Sequence, residues 1–561
     1  MDAGGVWILS KRKSPDYSDE VLTQRNLDKI LSSDVDLGYD SYKFQQRITD
    51  RPSEYHLNTR RIQLLKGFQY NRNGNILEIG CGCGAITRFL GERFDSVISI
   101  EGSMNRAQLA RKRTKDMDNV SILCAPFQDI SFKIKFDIVF CIGGLEYAGT
   151  HIHSDDPYQD ILNECSNILT PDGVLVLALE NQFGLKYFFS SREDHTGLKF
   201  EGLEGYPRSG NRVKTFGYKE IKDRLLVNFN DIQFYFPYPD YKIPSAVISE
   251  QLFEKAGVAE LIGGFSPRDY WGDMKSPVDL KLMLMELEKN KKLAFFADSF
   301  LIHAAKQTNK SIRTDWLGIM YSDKRIPKLQ MVTKIVEDEK GSLFVDKYSP
   351  NTKGNVQKDK LILHPGKYPW LEGVSLHMQV LRQCKDQNAS LEDIFSLCAV
   401  WVNAMRKHCV SIKGKLWLDG KYIDDIWQNC IIQGSQCCFF DNEWEWKDKI
   451  PLNVFLIRSL VYFLGDVLRL NNPGPALCKK NMLILCNDIA GIWGIALQYK
   501  DFIKFIKFES EFQRTVIGTK KINTALSLCR FFLKMKFKDK QFSEGMYLKK
   551  ILLRLKNIFR I

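Results

Sequence analysis

Asn75-Ile76-Leu77-Glu78-Ile79-Gly80-Cys81-Gly82-Cys83-Gly84 is the stretch whose reading decides the fold. Ile76 to Ile79 is a short apolar strand, and AITRFLGERF (85–94) has a helical pattern. Glycines between a strand and a helix let the backbone approach a ligand closely, while the helix N-terminus presents free N–H groups. A second strand, 96–100, ends in Glu101, 21 residues after Gly80. A carboxylate there can accept hydrogen bonds from both ribose hydroxyls of a nucleoside. A third strand, 120–124, leads to Phe127-Gln128-Asp129, where Asp129 can meet an adenine amino group. A fourth, 136–141, opens into Ile142-Gly143-Gly144-Leu145-Glu146-Tyr147. The helical pattern YQDILNECSNIL then runs through Thr170-Pro171-Asp172-Gly173 into a fifth strand, 174–179. Alternating strands and helices predict an α/β domain on a parallel sheet. The glycine turn alone fits NAD as well as other nucleosides, or a close-packed turn with no ligand. Its third glycine falls one position earlier than in G-x-G-x-x-G.

The rest of the composition is that of folded domains. The chain has 561 residues, 44% hydrophobic and 26% charged, with 10 Trp, 21 Tyr and 36 Phe, which excludes disordered and collagen-like classes. At about 150 residues per domain, three to four domains are expected. Fourteen cysteines with no C-x-x-C pair predict reduced thiols and no structural zinc. The net charge of +13 is concentrated: Arg514 to Ile561 hold thirteen Lys/Arg against Asp539 and Glu544, or +11. The other residues carry only +2, so a broad nucleic-acid-binding face is not expected. The opening MDAGGVWILSKRK lacks the pattern of a secretory leader, and no run of 18 apolar residues occurs. Met482 to Tyr499 comes nearest, but Asn487 and Asp488 make it read as a buried helix. A cytoplasmic protein, at most peripheral on the inner face of a membrane, is expected.

Taken together, acid-x-G-x-G-x-G, the acidic end of strand two, Asp129 and the PDG turn resemble class I S-adenosylmethionine-dependent methyltransferases. The resemblance implies a Rossmann-like domain over 51–250 that uses S-adenosyl-L-methionine, with Glu78, Gly80, Gly82, Gly84, Glu101, Asp129 and Gly143 as cofactor-binding residues. It narrows further along the chain. Tyr55-His56-Leu57 with Arg60 and Arg61, then Glu180-Asn181-Gln182-Phe183-Gly184, Glu193-Asp194-His195-Thr196-Gly197, the block 200–207 and Phe236-Pro237-Tyr238-Pro239 are similar to a subfamily linked to bacterial surface-polysaccharide synthesis. That subfamily includes the bifunctional methyltransferase–kinases that terminate O-antigen chains. Its glycine- and aromatic-rich blocks are expected in loops forming an acceptor lid over the sheet's C-terminal edge. The resemblance implies a glycan or lipid-linked glycan acceptor, with polysaccharide-assembly enzymes as partners.

Methyl transfer from a sulfonium is an in-line displacement, so positioning and desolvation do much of the work. A sugar-hydroxyl acceptor gains from a general base, and His195 beside Asp194 is the candidate; a packed loop histidine is the alternative. A phosphate acceptor needs no base, and Arg192 or Arg208 could hold it. Glu180 and Asn181 either face the acceptor or simply close strand five. His151, His153, Asp155 and Asp156 read as a solvated loop, so no metal site is expected.

The second half carries a different pattern. LQMVTKIV, EDEKG and SLFVDKY predict a hairpin whose second strand bears Lys347. Asp424 and Asn429 have the D-x4-N spacing of a kinase catalytic loop, and the next hairpin ends at Asp441, where a kinase places its metal-binding Asp. These residues predict a degenerate α+β kinase-like domain over 329–465 that would use ATP and Mg, or a scaffold of that shape. It departs from kinases in having no glycine-rich phosphate loop, no His-Arg before Asp424 and no Gly after Asp441. The remaining boundaries are an N-terminal extension, 1–50, a helical connector, 251–328, which includes a strand ending near Ala304, and a helical region, 466–561. In 546–561, Leu548, Ile551, Leu552, Leu555, Ile558 and Phe559 share one helical face against Lys549, Lys550, Arg554, Lys556 and Arg560. Such a basic amphipathic helix suits an anionic membrane surface, or docks on the protein with its basic face solvated.

Overall fold

The computed structural model describes residues 4–8 and 21–533, apart from 256, 273, 275, 479 and 480. The chain forms two units, Met1–Ser276 with Glu286–Tyr321, and Pro277–Met285 with Ser322–Ile561.

The first unit is built on a twisted sheet. Its strands are β1 (Asn75–Ile79), β2 (Ser96–Glu101), β3 (Val120–Cys124), β4 (Phe136–Ile142), β5 (Leu169–Glu180), β6 (Asp231–Tyr238) and β7 (Ser299–Ala305), in the spatial order 3-2-1-4-5-7-6. β1 to β5 run parallel. β7 slots in antiparallel to both neighbours, with Ser299 opposite Glu180 and Leu301 opposite Tyr235. Val174 to Leu179 are fully buried, as strands of a parallel sheet covered on both faces must be. Helices α1 (Ala85–Arg93), α2 (Met104–Arg113) and α3 (Pro157–Ile168) make the crossovers. Between β1 and β4 the strand order reverses, which is where open α/β sheets open a ligand crevice.

A sequence boundary is corrected here. The segment 251–328 is not a helical connector: it contributes β7 to the middle of the sheet and Gly318–Tyr321 beyond β6, paired to Ala246–Ser249. The described part of the N-terminal extension packs on the domain. Leu27, Leu31, Leu37 and Phe44 pack with Leu57, Leu109 and Cys83 of the glycine turn into one apolar cluster. Phe236 to Tyr238, expected in a lid loop, belong to β6.

The second unit is α+β. β8 (Val332–Glu337), β9 (Leu343–Tyr348) and β10 (Gly366–Pro369) are antiparallel, and β11 (Cys430–Gln433) pairs with β12 (Gln436–Phe439). The boundary at 465 does not hold. Trp401, Trp427 and Phe463 share one core with Trp493, Phe502 and Phe505, from helices on both sides of it. Met482–Ile492 is a helix of that core, and no described helix is long and apolar enough to cross a membrane. The basic segment 546–561 lies outside the described residues.

Candidate active site

The glycine turn after β1 is fixed from below. Gly80 and Cys81 both donate to the Ile100 carbonyl at 2.9 Å, tying the turn to β2. Gly80 and Gly82 have φ of +78° and +54°, and a Cβ on either would project into open space. That open face is where a ligand can meet backbone directly. Gly84 does another job. Its Cβ would fall 2.8 Å from the Ala110 Cα, so it is needed for α1 to pack on α2 and does not face a ligand.

Glu101 is buried at the end of β2. It accepts hydrogen bonds from the Gly82 N–H at 2.8 Å and the Ser103 N–H at 2.9 Å. Burial raises its pKa, and these backbone bonds work against the rise. A carboxylate offers about four acceptor positions, so two remain for a ligand's hydroxyls. Glu78 serves the turn from behind instead of facing a ligand. It accepts from Thr87 Oγ1 at 2.6 Å and Ser99 Oγ at 2.7 Å, and burial pushes it up to about 7. Arg61 is buried with its guanidinium 3.9 Å over the Tyr55 ring, and its Nε and one terminal nitrogen find no hydrogen-bond partner. Gly143 ends β4 with φ +72°, closed over by the Tyr241 hydroxyl. Asp129 is exposed in the turn after β3.

A charged cluster occupies the same edge of the sheet, beyond β4 and β5. His195 Nε2 lies 3.1 Å from Glu180 Oε2, and its Nδ1 lies 2.9 Å from the Tyr147 hydroxyl. Lys242 pairs with Glu180 Oε1 and reaches Asp194 Oδ1 at 3.4 Å. Glu146, in the turn after β4, is fully buried, and neither carboxylate oxygen has a hydrogen-bond partner. Burial disfavours the His195 imidazolium, but Glu180, then Tyr147, outweigh it and hold the ring well above its usual value. Burial would likewise raise Glu180, yet Lys242 and His195 drive it well below the carboxylate range. Glu146 is pushed up to about 8 by burial and then by Glu180.

The expected His195–Asp194 pair is therefore replaced. Asp194 accepts from Lys186 and, at 2.8 Å, from the Tyr187 hydroxyl, while the partner of His195 is Glu180. Glu180 and Asn181 divide their tasks: Glu180 faces the cluster, and Asn181 closes the strand by donating to the carbonyls of Phe295 and Ala297. Arg208 is held by Glu201 at 2.6 Å, and Arg192 donates to the Trp271 carbonyl. Asp156 caps α3 and pairs with Arg224 instead of meeting His151. A cavity of about 990 Å³ elsewhere on this unit is lined by Phe183, Phe188, Tyr218, Phe295 and Phe296 together with Asp156 and Arg224, and none of Glu146, Glu180, His195 and Lys242 lines it.

In the second unit the four residues singled out from sequence do converge. Lys347 on β9 pairs with Asp441 and, at 3.2 Å, with Glu443. Asn429 donates to the Asp424 carbonyl at 3.0 Å, and Asp424 Oδ2 accepts from the Trp444 N–H at 2.9 Å. Burial pushes Asp424 up to about 8, Arg458 opposes it, and Asp441 and Glu443 add to it. Glu443 is the partner of Lys347 that spacing could not identify.

Residues 77–177 match the family model described as a methyltransferase domain. Malonyl-[acyl-carrier protein] O-methyltransferase of Priestia megaterium is 31% identical over 72 residues, 12% of this chain and 26% of that protein. Ubiquinone biosynthesis O-methyltransferase of Hydrogenovibrio crunogenus is 26% identical over 131 residues, 23% of this chain and 52% of the relative. The solved N-methyltransferase NodS from Bradyrhizobium japonicum, in complex with S-adenosyl-l-homocysteine, overlaps 28% of this chain and 74% of its own, at 22% identity and TM-score 0.20. The chain thus spans between a quarter and about half the length of the two curated relatives. It carries a class I S-adenosylmethionine-dependent methyltransferase domain.

Proposed function

We propose that this chain transfers a methyl group from S-adenosyl-L-methionine to an oxygen of a polar acceptor, a sugar hydroxyl or terminal phosphate of a cell-surface polysaccharide intermediate. The observation that carries the reading is the sharing of one sheet edge by the open glycine turn with Glu101 and the buried cluster of Glu146, Glu180, His195 and Lys242. The residues fit the cofactor. Gly80 and Gly82 leave room for it, Glu101 has acceptor positions for the ribose hydroxyls, and the orphaned nitrogens of Arg61 suit the amino-acid carboxylate. When bound, the cofactor supplies a methyl group on a sulfonium.

The chain's own groups do the rest. His195 has both ring nitrogens engaged, so it positions Glu180 and does not itself take a proton. Lys242 and His195 keep Glu180 anionic, so it accepts a hydrogen bond from an acceptor hydroxyl and orients it, and the proton leaves towards Glu146, the more basic carboxylate. A buried, charged cluster at the sheet edge favours a polar acceptor over a lipid tail, and the two curated relatives named above are O-methyltransferases, which supports oxygen as the methylated atom. The test is mass spectrometry of surface glycans from the source organism with and without this gene. Loss of a methyl group supports the reading, and an unchanged glycan removes it.

A second reading, that the other unit transfers phosphate from ATP with Mg, is favoured by the convergence of Lys347, Asp424, Asn429 and Asp441. On this reading the chain is bifunctional, and the same glycan spectra would lose phosphate as well as methyl. The charge of +11 over 514–561 supports contact with an anionic membrane surface, which a lipid-linked acceptor would require.

A further inference from the structure

Glu146, Glu180 and His195 are far apart in sequence, yet each offers a ligand atom within 4.8 Å of the others'. All three side chains are almost fully buried. A buried carboxylate with no hydrogen-bond donor, which is the situation of Glu146, is costly unless a proton or a cation compensates it. One of the three pairs has the spacing that a cation requires. Two ligand atoms each about 2.1 Å from an ion, at tetrahedral or octahedral angles, lie about 3.0–3.4 Å apart. His195 Nε2 and Glu180 Oε2 are 3.1 Å apart.

The surroundings are those of a supported metal ligand set. A metal-binding histidine characteristically engages its second ring nitrogen in a hydrogen bond that fixes its tautomer and orientation, and His195 Nδ1 lies 2.9 Å from the Tyr147 hydroxyl. A ligating carboxylate is steadied through its other oxygen, and Lys242 pairs with Glu180 Oε1. Three protein ligands leave coordination positions open for a substrate atom.

We propose that Glu146, Glu180 and His195 bind a divalent cation, and that the cation presents the acceptor oxygen to the methyl donor. The second clause rests on the methyl-transfer reading; the first stands on the geometry alone. Two carboxylates and one imidazole form a borderline-hard set suited to Mn2+ or Zn2+. An acceptor oxygen bound to the ion releases its proton more readily, so the carboxylates need not abstract it unaided.

The test is Mn2+ binding to the full chain after EDTA treatment and dialysis, read by electron paramagnetic resonance of the free ion. Wild type should take up one Mn2+ per chain, whereas Glu146→Gln and His195→Ala should lose at least tenfold in affinity. Glu101→Ala should bind Mn2+ as wild type does. S-adenosylhomocysteine titration of Glu146→Gln and His195→Ala, and circular dichroism of all three variants, verify that they are folded. If wild type binds no Mn2+, or if Glu146→Gln binds it unchanged, the site is refuted. Mn2+ uptake with no S-adenosylhomocysteine binding would keep the metal site and refute the methyl-transfer reading instead.

Discussion

His195 Nε2 stands 3.1 Å from Glu180 Oε2, although 15 residues separate them and Asp194 lies next to the histidine in the chain. The pair joins the end of β5 to the loop beyond it. It puts an imidazole and a carboxylate on the edge of the sheet that carries the glycine turn. On the proposed reading Glu180, not Asp194, is the carboxylate that faces the acceptor.

Replacing Glu180 with Gln should therefore lower kcat for methyl transfer by about 10²-fold, the cost of misplacing an acceptor that its anion orients. Affinity for S-adenosylhomocysteine should stay as it is. Single-turnover transfer of labelled methyl to a glycan extract reads the first effect and calorimetry the second. A full-rate Glu180→Gln enzyme would exclude the assignment.

The glycines of the turn should separate by role. Gly80→Ala and Gly84→Ala both force an L-residue to a φ of +78°, at about 1–2 kcal/mol. Only Gly84→Ala adds a clash with the Ala110 backbone, worth about another 1–3 kcal/mol. Urea unfolding should rank Gly84→Ala as the less stable variant. Gly80→Ala should be the one that loses cofactor affinity beyond its effect on stability.

Acid should weaken the first unit through His303. This ring on β7 is buried between Phe68 and Tyr235, and burial depresses its pKa from 6.5 to about 3. The unfolded chain takes up a proton below pH 6.5 that the folded state refuses. Its contribution is thus complete above pH 6.5 and falls by up to about 1.4 kcal/mol per pH unit between 6.5 and 3. Denaturant titrations at pH 7 and pH 5 should show a smaller pH dependence for His303→Phe than for wild type. Equal dependence would mean that the ring titrates normally.

If the second unit transfers phosphate as the second reading has it, Asp424→Asn should reduce ATP-dependent phosphorylation of the glycan by at least about 100-fold, and Asp441→Ala should abolish it. Neither should alter methyl transfer. Phosphate incorporation that survives both changes would leave this unit as a scaffold.

Much of the fold was legible because parallel strands announce themselves as short, apolar runs. Val120–Cys124 was placed to the residue, and the ends of β1, β2 and β4 to within one. β6 and β7 were harder. Tyr and Pro in β6 imitate a loop, and β7, legible as a strand ending near Ala304, follows a helical stretch that hides its return to the middle of the sheet. In the candidate site, Glu101 could be read from its spacing because one turn and one strand end fix its place. Glu146, Glu180 and Lys242 come from three separate strand ends, and no spacing links them. Asp194 was misread for the converse reason: neighbours in a loop need not face each other, and Lys186 and Tyr187 turn its carboxylate away. Asp424 and Asn429 lie together because a short loop closed by the Asn429–Asp424 hydrogen bond keeps sequence distance and spatial distance together.

The central claim is that the glycine turn and Glu101 hold S-adenosylmethionine. Calorimetric titration of S-adenosylhomocysteine into wild type and Glu101→Ala tests it most directly. The account predicts one site per chain in wild type, weakened in the variant by about 1–3 kcal/mol, or roughly 5- to 150-fold. Equal affinity in the two proteins, or no binding to wild type, would contradict it.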